Sequence, residues 1–264
     1  MKNLIYQVAL GRSNLYDFCT NSVAEYANKY NIEHIIQTKP ILKICPDPKT
    51  SGRSYEAWHK FDEPFLPIYE KEVALAYLKE YDAIAVIDAD IYVRQSAPNI
   101  FDELDDEYAF GGVVERDMPI TTQYRQKIQQ YSQRQYGSLK DVDWKWNRQS
   151  GAEFMNMGLM FFNQNLLSYL HGNTAEQFIR RPEFKKFVDG INHWNRSTDQ
   201  TLLNYWLKKE HIPTKHLDWK WNALYRGIRD DMIPHANFVH FFLKGHLPDR
   251  GENIGLIKRI VAEK

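Results

Sequence analysis

Apolar residues in this chain fall into short runs that alternate with stretches of helical spacing. Residues 4–11 form a hydrophobic run that closes on Gly11-Arg12-Ser13, which predicts a buried strand followed by a turn. Leu15, Cys19, Val23 and Ala27 then recur on one helical face, and residues 32–38 read as a second strand. Strand, helix and strand at this spacing predict a parallel βαβ unit. Residues 39–65 carry Pro40, Pro46, Pro48, Gly52 and Pro64 without periodicity, so a long surface loop is expected.

Pro67 suits the first position of a helix that presents Tyr69, Val73 and Tyr77 on one face and ends near Glu80. Residues 83–87 (Ala-Ile-Ala-Val-Ile) are apolar throughout, the pattern of a central strand buried on both faces. That run stops at Asp88-Ala89-Asp90. Residues 108–114 predict another strand, and Ile120, Tyr124, Ile128 and Tyr131 mark a helix. A polar, aromatic loop follows at 136–153, then a strand at 154–162 with Asn156 and Gly158 embedded in it. Residues 198–209 are helical, with Leu202, Leu203, Trp206 and Leu207 on one side, and the last strands are expected at 212–217 and 238–242. The alternation predicts a single α/β domain with a mostly parallel central sheet flanked by helices.

Composition narrows the function classes. The 34 basic and 34 acidic side chains cancel and form no block of like charge, which argues against a nucleic-acid footprint or a polybasic membrane patch. Cys19 and Cys45 are too few for a disulfide framework and lack metal-ligand spacing, so both are expected as free thiols in a reducing compartment. The first apolar stretch, interrupted by Tyr6 and Gln7, is too short and too polar for a signal peptide or a transmembrane segment. A cytoplasmic protein is the expectation. Aromatic residues make up 14% of the chain, with 7 Trp and 16 Tyr. Such rings stack well on sugars, but filling the core is their commoner work. Asp-Trp-Lys-Trp-Asn occurs twice, at 143–147 and 218–222, far shorter than the roughly 20–50 residues of a repeat architecture.

The sharpest chemical feature is the pair Asp88 and Asp90. A lone Asp-x-Asp carries little information, but this one ends an apolar strand, and ligands of open α/β sheets bind at strand carboxyl ends. Two carboxylates there repel each other unless a cation or a shared proton compensates. A hard divalent ion, Mn²⁺ or Mg²⁺, bridging them to substrate phosphates is the natural solution. The bland alternative is a solvated strand end whose aspartates cap the next turn.

Taken in order, the motifs resemble those of GT-A-fold glycosyltransferases, most closely family 8, the group that includes glycogenin and bacterial lipopolysaccharide galactosyltransferases. Asp88-Ala89-Asp90 matches the family's DxD, Asn156-Met157-Gly158 its Asn-x-Gly strand, and Thr198-Asp199-Gln200 its Asp-Gln step. His240 resembles the histidine that completes its metal site, and Lys71 lies where the family has a basic donor-binding residue. The chain departs from the pattern after His240: Lys244 follows four residues on, and no Pro-Trp comes after it. The resemblance implies a Rossmann-like GT-A domain spanning 1–264, with nucleotide binding over about 1–115 and an acceptor or closing part over about 116–264. It implies transfer of a sugar from a nucleotide-sugar, UDP above other bases, to a saccharide or other hydroxyl acceptor, with retention of configuration.

Residue roles follow from that resemblance, each beside a plain structural reading. Asp88, Asp90 and His240 would ligate the metal, with His246 as second choice; the alternative for His240 is a histidine buried in an aromatic strand. Lys244 and Lys71 would place positive charge at the leaving phosphate, or be solvated lysines. Asp199 would bind hydroxyls of the donor sugar and Gln200 would sit near the anomeric carbon. Alternatively, Ser197 and Gln200 form a helix capping box. Asn156 and Gly158 would lie against the donor sugar, since a glycine inside a strand often marks close approach, and Ala89 would line the donor site between the two aspartates. Arg12, after the first strand, falls where the base or ribose binds in this fold. Glu115 and Asp117 could meet the acceptor hydroxyl, one of them as general base if the enzyme inverts. Trp144, Trp146, Trp219 and Trp221 would stack on an acceptor sugar or pin loops to the core.

Four other readings compete. One is an inverting GT-A enzyme of another family. A DxD phosphatase would place its motif near the start of the chain, with Thr or Val where Tyr92 stands. A sugar nucleotidyltransferase would follow its first strand with a Gly-rich loop, and here there is one glycine. A carbohydrate-binding module would use the aromatics without needing an Asp pair on a buried strand.

Overall fold

The opening βαβ unit is present in the computed structural model, which describes residues 1–53, 63–103 and 105–262. Strands β1 (Asn3–Val8) and β2 (Glu33–Gln37) pair in parallel, Leu4 opposite Glu33 and Val8 opposite Gln37. The helix Asn14–Lys29 connects them and buries Leu15, Cys19, Val23 and Ala27, the face its periodicity predicts. Gly11 turns the chain into it at φ +85°, a conformation glycine adopts without steric cost.

β3 (Ala83–Ile87), buried at every position, lies in parallel on the other side of β1. Next to β3 runs β6 (Met155–Asn163), antiparallel, with Ile87 opposite Leu159. β5 (Phe110–Val114) is antiparallel to β6, and β7 (Thr214–His216) is parallel to β5. The sheet order is β2-β1-β3-β6-β5-β7. It is mixed, because β6 opposes both neighbours while the other pairings are parallel. The apolar run of β6 carries no sign of that direction, since a strand buried on both faces has the same composition either way.

A second, small sheet was not foreseen. Its strands are β4 (Ile91–Val93), β8 (Ala223–Leu224) and β9 (Phe238–His240), in the order β4-β9-β8. β9 is antiparallel to β4, with Ile91 opposite His240, and parallel to β8. Asp88-Ala89-Asp90 is therefore the hinge between two sheets. Its backbone is held from both sides: Asp88 N–H donates to Gly158 O at 2.8 Å, and Phe241 N–H donates to Asp90 O at 2.9 Å.

Pro67 begins a long 3₁₀ helix, Pro67–Lys79, which packs Tyr69, Val73, Leu75 and Leu78 into the core. The helix Asp199–Lys209 buries Leu202, Leu203, Trp206 and Leu207, as its spacing predicts. Most of the aromatic excess is core: Tyr6, Tyr69, Tyr136, Phe110, Phe161, Phe162, Trp144, Trp206 and Trp221 are all buried. Glu70 receives the N–H groups of Ile41, Leu42 and Lys43 and so fastens the start of the Pro-rich loop to the 3₁₀ helix; residues 54–62 of that loop lie outside the described residues. Cys19 and Cys45 are both free. Among the described residues, no helix is long and apolar enough to cross a membrane.

Candidate functional site

At the hinge, Asp88, Asp90 and His240 bring three potential ligand atoms within 4.8 Å of one another. Nε2 of His240 lies 3.3 Å from Asp90 Oδ1 and 3.7 Å from Asp88 Oδ2. The register of β9 on β4 causes this, because it sets His240 one position beyond Asp90. The imidazole is buried, while both aspartates keep some access to solvent. Burial, then the charges of Asp90 and Asp199, push the Asp88 carboxyl up against the opposing pull of Lys71 and His240. For Asp90 burial acts in the same direction, but the hydrogen bond and charge of His240, with Lys244, hold it below the usual range. Two carboxylates and one imidazole, partly open, form a donor set that suits Mn²⁺ or Mg²⁺.

Lys71 is not a surface lysine. Its ammonium is buried, pairs with Asp88 Oδ1 (2.9 Å) and Asp199 Oδ2 (2.7 Å), and donates to Met157 O at 2.7 Å. Burial alone would lower its pKa, but Asp199 and Asp88 outweigh that and hold it above the ordinary lysine value. A cavity of about 200 Å³ opens here, lined by Val8, Leu10, the Tyr16 ring, Pro67, Ile68 and Ala89, with Lys71, Asp88, Asp90 and Asp199 supplying its charged groups. Lys244 Nζ lies 3.5 Å above the Tyr16 ring and acts electrostatically on Asp90. Tyr16 was not singled out from the sequence, where it looked like one more helix aromatic. A larger cavity of about 400 Å³, lined by Glu153, Lys208 and His216 among others, shares no residue with this one.

His240 is supported from behind. Its Nδ1 meets Asn222 Oδ1 at 3.0 Å, Asn222 Nδ2 donates to Asn156 Oδ1 at 2.9 Å, and Asn156 Nδ2 donates to Glu115 Oε2 at 3.3 Å. The Tyr124 hydroxyl donates to the other oxygen of Glu115. Gly158 was expected beneath a donor sugar, but it is the His240 ring that occupies the space a side chain would fill. Asn156 is buried in the same network. Asn222 ends the second Asp-Trp-Lys-Trp-Asn, and its role had no local signal. In both copies the Asp side chain accepts from the Lys N–H two residues on. The copies then diverge, since Asn147 closes its own loop by accepting from Gln149 and Ser150.

The capping-box alternative for Gln200 does not hold. The helix begins after Thr198, without a side-chain cap, and Ser197 Oγ donates instead to Gln135. Gln200 Oε1 accepts from Met157 N–H on β6 at 3.3 Å. Asp199 lines the cavity at the aspartate pair, whereas Gln200 lines a second cavity of about 300 Å³ with Glu115, Tyr124, Asn156, Thr198 and Phe242. Two consecutive residues thus face two cavities.

Other candidates lie apart. Arg12 is exposed and does not line the aspartate cavity, and His246 is exposed as well. Asp117 is exposed beside Arg116. Trp144 and Trp221 are buried and pin their loops to the core; Trp219 is half-buried, and Trp146 is exposed.

No family model matches the sequence, and no curated protein matches it. Solved structures match its fold. A glycosyltransferase involved in the glycosylation of the major capsid of PBCV-1 aligns over 96% of this chain and 98% of its own, at 13% identity and a TM-score of 0.54. Mouse xyloside xylosyltransferase 1 aligns over 92% of this chain and 99% of its own, at 13% identity and a TM-score of 0.51. Identity this low speaks for fold, and the likeness runs nearly the full length of each protein. The chain has the GT-A fold of the glycosyltransferases.

Proposed function

We propose that this protein transfers a sugar from a nucleotide-sugar, with UDP as the first donor to test, to a saccharide or other hydroxyl acceptor, using a divalent cation held by Asp88, Asp90 and His240. The observation that carries this reading is the meeting of His240 Nε2 with two aspartates that both line a cavity in a GT-A fold. When bound, Mn²⁺ would act there as a Lewis acid toward the departing diphosphate.

The chain's own groups divide the remaining work. Lys71 and Lys244 supply positive charge beside the carboxylates, where a leaving phosphate gains most from electrostatic stabilisation. Val8, Leu10, Ile68 and the Tyr16 ring form the apolar wall for the nucleoside. Asp199 accepts from hydroxyls of the donor sugar, and Gln200 lines the 300 Å³ cavity, which would take the acceptor. Retention is favoured over inversion because Glu115, although it lines the 300 Å³ cavity, already accepts from Tyr124 and Asn156, and Asp117 is exposed and lines neither cavity. Neither is poised to take a proton from an acceptor hydroxyl.

A thermal-shift panel of nucleotides and nucleotide-sugars, with and without Mn²⁺, tests the reading, because a ligand that binds only the native state raises the midpoint. UDP or a UDP-sugar should stabilise the protein in the presence of Mn²⁺ and not in its absence. A panel in which no nucleotide shifts the midpoint in either condition overturns the donor assignment.

A further inference from the structure

Two buried side chains, Asn156 and Asn222, lead from a backbone N–H of β6 to the Nδ1 edge of His240, and the Gly158 N–H sets the direction of each hydrogen bond along them. Gly158 N–H can only donate, and it meets Asn156 Oδ1 at 3.0 Å. That contact fixes which end of the Asn156 amide is oxygen. The same oxygen receives Asn222 at 2.9 Å, so Asn222 must present its NH₂ there. Its carbonyl oxygen then faces His240 Nδ1 at 3.0 Å. An oxygen acceptor opposite a ring nitrogen requires a hydrogen on that nitrogen. From the other end, Asn156 Nδ2 points at the Glu115 carboxylate, an acceptor, which agrees with the same direction.

We infer that Asn222 is a positioning residue that holds a hydrogen on His240 Nδ1, so that Nε2 is the nitrogen left to give its lone pair to a cation bound between Asp88 and Asp90. This rests on the metal-binding reading above and adds to it the residue that makes the histidine a competent ligand. Water is a poor substitute: Asn222 and His240 are 0% and 3% exposed, and Asn156 and Glu115 7% and 4%. Gly158 completes the device by leaving room for the ring to lie against β6. Partners of this kind set both the tautomer and the orientation of a ligating imidazole, and losing one commonly costs 10–100-fold in metal affinity.

The test is a Mn²⁺ titration of the whole protein, followed by electron paramagnetic resonance of the free ion, on wild type, Asn222→Leu and Asn222→Asp. Asn222→Leu removes the acceptor at similar volume and should weaken Mn²⁺ binding about 10–100-fold. Asn222→Asp still accepts from Nδ1–H and should recover most of that loss. A purely structural asparagine would give no such rescue, because the aspartate cannot donate to Asn156. Equal Mn²⁺ affinity in wild type and Asn222→Leu overturns the inference and leaves the functional reading standing. Failure of the wild type to bind Mn²⁺ sinks the functional reading itself. If Asn222→Leu does not fold, ¹⁵N spectra of the imidazoles in the Mg²⁺-loaded wild type decide: Nδ1 of His240 should carry the hydrogen, and a hydrogen on Nε2 overturns the assignment.

Discussion

The imidazole of His240 rests on Gly158: a Cβ added to that glycine would stand 2.2 Å from Cε1 and 2.5 Å from Nδ1 of the ring. The requirement is steric and not conformational, since Gly158 is not among the residues of positive φ. Gly158→Ala should therefore displace His240 from the aspartates. Overpacking of a dense core costs about 1–3 kcal/mol, measurable by urea unfolding, and Mn²⁺ binding should weaken at the same time. An alanine variant that binds Mn²⁺ like wild type would mean the ring has another place to go.

Lys71 bridges Asp88 and Asp199. Lys71→Met strands two carboxylates and should cost about 3 kcal/mol, the low end of the range for breaking a buried pair. Mn²⁺ should then stabilise the variant more than it stabilises wild type, because it replaces the missing positive charge. Unfolding midpoints of both proteins with and without Mn²⁺ provide the check.

Asp88→Asn should act in the opposite sense. Asp88 shares Lys71 with Asp199 and lies beside Asp90, and removing its negative charge relieves repulsion from both. The metal-free variant should be more stable by about 1 kcal/mol, as is common when a functional charge is neutralised. Sugar transfer and the Mn²⁺-dependent shift with UDP should both be lost. A calorimetric scan paired with a donor-hydrolysis assay reads the two effects separately.

Away from the site, the His34 ring donates from Nε2 to Gln7 Oε1 at 2.9 Å, and burial lowers its pKa to about 4. The unfolded chain takes up a proton near the ordinary histidine value, while the folded chain does not until about pH 4. This contribution to stability is complete above about pH 6.5 and is lost as the pH falls toward 4. Discounted for the partly exposed ring, it amounts to about 2 kcal/mol. His34→Gln should flatten that part of the stability–pH curve, and a variant with an unchanged slope would assign the slope to other groups.

Much of the core was legible along the chain. The face of the helix Asn14–Lys29, the fully apolar β3 and the apolar side of the helix Asp199–Lys209 follow from spacing alone. Periodicity is a local property, so a strand or helix that buries one face or both states the fact in its own residues. The end of β3 at Asp88-Ala89-Asp90 was equally visible, because an apolar run broken by two carboxylates marks its own boundary. Ordered resemblance then pointed to Lys71, Asp199 and His240, but not to what each would touch.

Other features had no signature within reach of any window. The reversed direction of β6, the small sheet of β4, β8 and β9, and the meeting of His240 with Asp90 depend on pairing between segments far apart in the chain. Asn222 is the clearest case. It stands in a pentapeptide that recurs at residues 143–147, and the earlier copy ends in a loop asparagine with no part in the site. The same five residues do different work because a hydrogen bond is specified by the partner that folding brings, and only the tertiary structure brings His240 to one asparagine and not to the other.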